Sequence, residues 1–145
     1  LYNRLGDNAE EERLLREALA IRSDLFDVHY SLGLLLAEEK KYQEAARHLD
    51  IAAEGMPDHP RIHYNLGMLL DYLGEDGRAE AAFREAYRLD GENVDAINAL
   101  VAFYAKRQRY NAIERLAETI LEGNPSSPVG KKLLEFSRRT RDGGQ

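Results

Sequence analysis

No cysteine occurs in the 145 residues. That absence excludes disulfides, thiolate nucleophiles and Cys-ligated zinc or iron–sulfur sites. Long apolar runs are missing too. The longest, such as Leu32 to Ala37, fall short of the roughly 18–20 residues a membrane span needs, and they sit in an amphipathic pattern. Nucleophile elbows, P-loops and GxGxxG turns are absent. No signal-peptide pattern is seen, and the chain begins at Leu1 rather than Met. The expectation is that an upstream segment has been removed.

Histidines number four: His29, His48, His59 and His63. His59 and His63 are four apart but straddle a proline, Pro60, that reads as a helix start. Equivalent histidines in neighbouring repeats would stand about 10 Å apart, too far to share a zinc ion with bonds of about 2 Å. The carboxylates fall in runs such as Glu10-Glu11-Glu12 and Glu38-Glu39, expected at helix ends, and not in converging pairs. The expectation is therefore no enzyme, no metal and no cofactor.

Charged residues make up 32% and the set AVILMFWYC 43%, the composition of a soluble folded chain. It is compatible with the cytoplasm or the periplasm. Net charge is −6, unevenly spread. Residues 1–100 hold 11 basic and 21 acidic side chains, residues 101–145 hold 9 and 5. An acidic body disfavours nucleic acid, which needs a basic surface to displace counterions. The short basic clusters Lys40-Lys41 and Lys106-Arg107-Gln108-Arg109 read as solvated turns.

The chain repeats itself at an offset of 34. His29-Tyr30-Ser31-Leu32-Gly33 returns as His63-Tyr64-Asn65-Leu66-Gly67, Ala45 as Ala79, Leu49 as Phe83, and Ala52 as Ala86. A fixed period of this size marks a solenoid. Leu32, Leu35 and Leu36 make one helical stripe, and Ala45, Leu49, Ala52 and Ala53 another. Gly6 and Gly74 stand where a first helix should end. Gly33 and Gly67 sit mid-helix, at a cost of roughly 1 kcal/mol each against Ala, which close helix packing would offset. Ser126-Ser127-Pro128 reads as an N-cap and first helical residue. Val129, Leu133, Leu134 and Phe136 are the covering face of that last helix, and Lys131, Lys132, Arg138 and Arg139 its wet one.

The run His29, Leu32-Gly33, Leu36, Ala45, Leu49, Ala52, Pro57, and its copy at His63, Leu66-Gly67, Leu70, Ala79, Phe83, Ala86, resembles the tetratricopeptide repeat. The resemblance covers nearly the whole chain. It implies an all-α, right-handed superhelical solenoid forming one domain, 1–145. Full repeats are 26–59, 60–93 and 94–127, with a partial repeat at 1–25 (Tyr2, Gly6-Asp7, Leu15, Ala18 and Ile21 in the expected slots) and a capping helix and tail at 128–145. Repeat 94–127 departs from the pattern. Val101 takes the glycine slot, Ile113 and Ala117 reverse the small-then-large order, and the turn reads one residue off register near Tyr110-Asn111-Ala112. Asp142 to Gln145 are expected to fray.

By the same resemblance, the first helices line a groove for a peptide or partner helix. Its positions are Asp27, Tyr30, Ser31, Leu34 and Glu38, then Arg61, Tyr64, Asn65, Met68, Asp71 and Tyr72, then Asp95, Asn98, Ala99, Ala102 and Lys106. Tetratricopeptide domains that clamp chaperone C-terminal carboxylates carry Lys, Asn and Arg at set positions. Here those positions hold Tyr30, Leu34, Asn65, Asp95 and Ala99, and only Asn65 agrees, so that ligand class is disfavoured. The implied function is a non-catalytic protein-interaction scaffold with a protein or peptide partner. The alternatives are the C-terminal repeat region of a larger enzyme or redox protein, and weak self-assembly through exposed repeat ends.

Overall fold

A computed structural model describes residues 2–143, with side chains from Gly6 onward. The expectations for the Tyr2 and Leu5 side chains and for Gly144 and Gln145 lie outside the described residues. Those residues form eight helices and no strand: α1 (Tyr2–Ile21), α2 (Phe26–Glu38), α3 (Tyr42–Gly55), α4 (Pro60–Tyr72), α5 (Asp76–Leu89), α6 (Val94–Lys106), α7 (Tyr110–Gly123) and α8 (Pro128–Gly143). They fall into two units, Leu1–Asp90 and Gly91–Gln145.

The 34-residue period governs where helices start. α2, α4 and α6 begin at 26, 60 and 94, and α3, α5 and α7 at 42, 76 and 110. The third turn is therefore in register, against the expectation of a one-residue slip. All three hairpin turns close alike. Lys40, Gly74 and Gln108 have φ of 65°, 80° and 57°. The N–H groups of Lys41, Glu75 and Arg109 reach back to the carbonyls of Leu36, Leu70 and Tyr104, at 2.9, 2.9 and 2.8 Å. Each is a left-handed C-terminal closure that satisfies otherwise orphaned carbonyls. Only the middle copy uses glycine.

Gly6, the fourth member of that series, behaves differently. It lies inside α1, and the turn expected there does not form. α1 runs through it without a break, from Tyr2 to Ile21. The Glu10-Glu11-Glu12 run is consequently mid-helix and not at a helix end. It is offset locally: Glu10 pairs with Arg13, and Glu12 lies 2.8 Å from Arg16 and 3.8 Å from Lys41. The Arg16 bond, ahead of the nearby Lys41 charge, holds the Glu12 carboxyl below its usual range despite some desolvation.

In the N-terminal unit, Leu32, Leu36, Ala45, Leu49 and Ala52 of α2–α3 are fully buried, as are Leu70, Ala79, Phe83 and Ala86 of α4–α5. Burying each large side chain contributes roughly 1.5–3 kcal/mol. The two mid-helix glycines permit this. A Cβ on Gly33 would stand 2.9 Å from Leu49 Cδ2, and one on Gly67 2.7 Å from the Phe83 ring. A third close approach carries no periodic signal: a Cβ on Gly55 would enter the Phe26 ring.

In the C-terminal unit, Ala96, Leu100, Phe103, Ile113 and Ala117 are buried, and α8 packs on α7. α6 and α7 approach one another over less of their length than the two preceding hairpins do. The cause is the Val101 and Ile113/Ala117 exchange: with no glycine in the slot, the large partner moves to the other position. Ser127 Oγ accepts the Gly130 N–H at 3.1 Å, capping α8 behind Pro128 as expected. Leu133, Leu134 and Phe136 are half-buried, while Lys131, Lys132, Arg138 and Arg139 face water.

Candidate functional site

Helical geometry places residues three and four apart on one face. On α2 that row is Asp27, Ser31, Leu34 and Glu38, and on α4 it is Arg61, Asn65, Met68 and Tyr72. All are exposed except Asn65, which is half-buried. Leu34, Met68 and Tyr72 are 36%, 49% and 70% exposed, large apolar surface left open to solvent. Ser31, Leu34 and Glu38 also border a crevice of about 200 Å³ with Leu35 and with Glu11 of α1.

Tyr30 and Tyr64 lie one row deeper, each half-buried. Asn65 Nδ2 donates to Tyr30 Oη at 2.9 Å, linking α4 to α2. The Tyr64 ring sits 6.4 Å from that of Phe83, with the Arg61 guanidinium 5.2 Å over its face. Tyr64 is thus partly a packing residue. Tyr72 rests its ring against Tyr42 at the start of α3, centroids 4.4 Å apart. Asp27 Oδ1 accepts the Val28 N–H at 3.0 Å, and Asp71 is half-buried. Asn98 and Ala102 are exposed on α6, in the C-terminal unit. The structure brings the α2 and α4 residues together; these two belong to the other unit.

The histidine slot has a different task. His29 Nε2 lies 2.9 Å from the Ser23 carbonyl, and His63 Nε2 2.8 Å from the Pro57 carbonyl, equivalent positions one period apart. Each ring ties the first turn of its helix to the preceding loop. His29 also meets His48 of α3, Nδ1 to Nδ1 at 3.0 Å, with the rings stacked. Burial first, and then the neighbouring His29, push His48 below the usual histidine range. Sequence spacing gave no sign of this pair, because the two residues are 19 apart on different helices. Among the described residues, no three His, Asp or Glu side chains converge as metal ligands.

The basic cluster at the third turn is also more ordered than a solvated turn. Arg107 stacks on Phe103, 3.7 Å from the ring centroid, and bonds its carbonyl at 3.0 Å. Lys106 and Gln108 are exposed as expected.

The decisive match is to a family model described as tetratricopeptide repeat, over residues 60–93. Residues 60–93 are a tetratricopeptide repeat. The fold of the chain is the all-α tetratricopeptide solenoid, as solved structures also indicate. The crystal structure of MamA superposes with a TM-score of 0.76 at 16% identity, covering 97% of this chain and 82% of that one. A tetratricopeptide repeat protein from Parabacteroides merdae gives 0.74 at 24%, covering 97% and 57%. MamA from Desulfovibrio magneticus, residues 41 to the end, gives 0.71 at 21%, covering 87% and 71%. At these identities the likeness concerns the fold. Among the described residues, no helix is long and apolar enough to cross a membrane.

Proposed function

We propose that the chain is a non-catalytic protein-interaction scaffold that holds an extended peptide or a partner helix on the α2–α4 face, with residues 1–145 working as one tetratricopeptide domain. The observation that carries this is the exposed apolar row. Leu34, Met68 and Tyr72 remain open to solvent while the rest of the hairpin cores close over their leucines. Tyr and Met suit such a role, one as a large ring with a hydroxyl, the other as an adaptable chain. Asp27 and Asp71 edge the row, so the favoured ligand is amphipathic with some positive charge. The proposal is tested by an array of Lys-containing amphipathic peptides, followed by calorimetric titration of the best binder against wild type and Met68→Glu. Loss of binding in a variant that melts normally supports it. Undiminished binding overturns it.

A second reading, weak self-association, is favoured by α1. Ile21 and Leu14 are 83% and 52% exposed there, and a solenoid repeat relies on its neighbour for cover.

A further inference from the structure

The C-terminal unit holds a cavity of about 530 Å³ between the turn entering α7 and the last turns of α8. That volume lies within the range of roughly 300–1,000 Å³ usual for ligand sites. Arg109, Arg115 and Arg141 line it, with Tyr110, Asn111 and Thr140 between them, and no carboxylate is among the lining residues. Arginines from the start of α7 and the end of α8 thus border one cavity.

The three are held by different means. Arg109 is the residue before α7, its guanidinium 5.0 Å from the Tyr104 ring centroid. Arg141 reaches back from α8, its Nη1 2.8 Å from Glu114 Oε2 and its Nε 3.5 Å from Asp142 Oδ1. Its charge is therefore largely answered. Arg115, one turn into α7, pairs with no carboxylate among the described residues. The surplus positive charge centres on it. Thr140 donates its hydroxyl to the Phe136 carbonyl at 2.8 Å, which leaves its lone pairs and the Asn111 amide as the neutral lining.

We propose that this cavity is an anion site that takes carboxylate side chains from an acidic segment of a partner protein. Planar guanidinium groups bind carboxylates in paired, charge-assisted hydrogen bonds. The last 45 residues carry 9 basic against 5 acidic side chains, so the field around the site attracts such a segment. The site is separate from the α2–α4 face and opposite to it in charge preference.

The test is fluorescence anisotropy of a fluorescein-labelled hexaglutamate peptide with the full chain at low ionic strength. Saturable binding is expected, with a labelled hexaserine peptide giving none. Arg115→Glu weakens hexaglutamate binding by at least about tenfold, and Arg115→Lys weakens it less, because charge survives but the paired geometry does not. The melting temperature of Arg115→Gln, which removes the charge without reversing it, stays at the wild-type value and shows that the fold is intact. Absence of hexaglutamate binding, or equal affinity for wild type and Arg115→Glu, overturns the proposal. Tighter binding of a single-stranded oligonucleotide, abolished by the same substitution, overturns it in favour of nucleic acid. Met68→Glu leaves hexaglutamate affinity unchanged, so this site and the α2–α4 face fail independently.

Discussion

His29 Nδ1 lies 3.0 Å from His48 Nδ1 across the α2–α3 hairpin, and His29 Nε2 lies 2.9 Å from the Ser23 carbonyl. The carbonyl can only accept, so His29 carries its proton on Nε2 and offers Nδ1 as acceptor. His48 Nδ1–H is then the donor. A proton on both rings would set two N–H groups face to face. Glu44 eases protonation of His48, but burial, His29, Arg16 and Arg47 oppose it. The folded pKa is thus below the ordinary value of 6.5. The unfolded chain binds this proton more readily, so the contribution is complete above about 6.5 and is lost as pH falls through the folded value. The urea midpoint should decline as pH is lowered from 6.5 toward 5, and His48→Gln should flatten that decline. Equal slopes for the two proteins would argue against the pair.

The mid-helix glycines make a second prediction. Ala at position 67 gains roughly 1 kcal/mol of helix propensity but meets the Phe83 ring at 2.7 Å. Overpacking costs typically 1–3 kcal/mol. Gly67→Ala should therefore destabilise on balance, with Phe83→Leu in the same chain recovering part of the loss in denaturant melts. Gly55→Ala should also destabilise, since the new Cβ would enter the Phe26 ring unless that half-buried side chain moves aside.

The three turns provide their own control. A non-glycine residue in the left-handed region costs roughly 1–2 kcal/mol per residue. Lys40→Gly and Gln108→Gly should each raise the melting temperature, because Lys40 and Gln108 hold φ of 65° and 57°. Gly74→Lys should lower it by a comparable amount.

At the α2–α4 face, Tyr64→Ala and Met68→Ala should differ. Tyr64 touches Phe83 and Arg61, so its loss should lower the melting temperature as well as any peptide affinity. Met68 is 49% exposed, so its truncation should reduce affinity, by roughly 1–2 kcal/mol if it anchors the ligand, and leave the melt unchanged. The reverse pattern would reassign Met68 to the core.

The apolar surface of α1 is tested by light scattering. Leu14→Asp combined with Ile21→Asp should abolish the weak self-association expected of the wild-type chain at high protein concentration. A wild type that stays monomeric at every concentration would remove that reading.

By itself the sequence determined the period, the hairpin order and the core. The packing of Gly33 against Leu49 recurs 34 residues later as Gly67 against Phe83, because each repeat meets the same neighbours, and the departure at Val101 and Ala117 is visible as a break in that pattern. The sequence also indicated that Leu34, Met68 and Tyr72 stand open to solvent, since exposure on a helix follows spacing. What the tertiary structure alone decided concerns groups with no common period. Gly6 reads as a turn residue, yet α1 runs straight through it. Lys40 and Gln108 take a glycine conformation because the hairpins on either side of them impose it. The His29–His48 pair, the Asn65–Tyr30 bond and the arginine-lined cavity each join side chains from different helices. Their distances are set by how whole helices pack, and no count along the chain contains them.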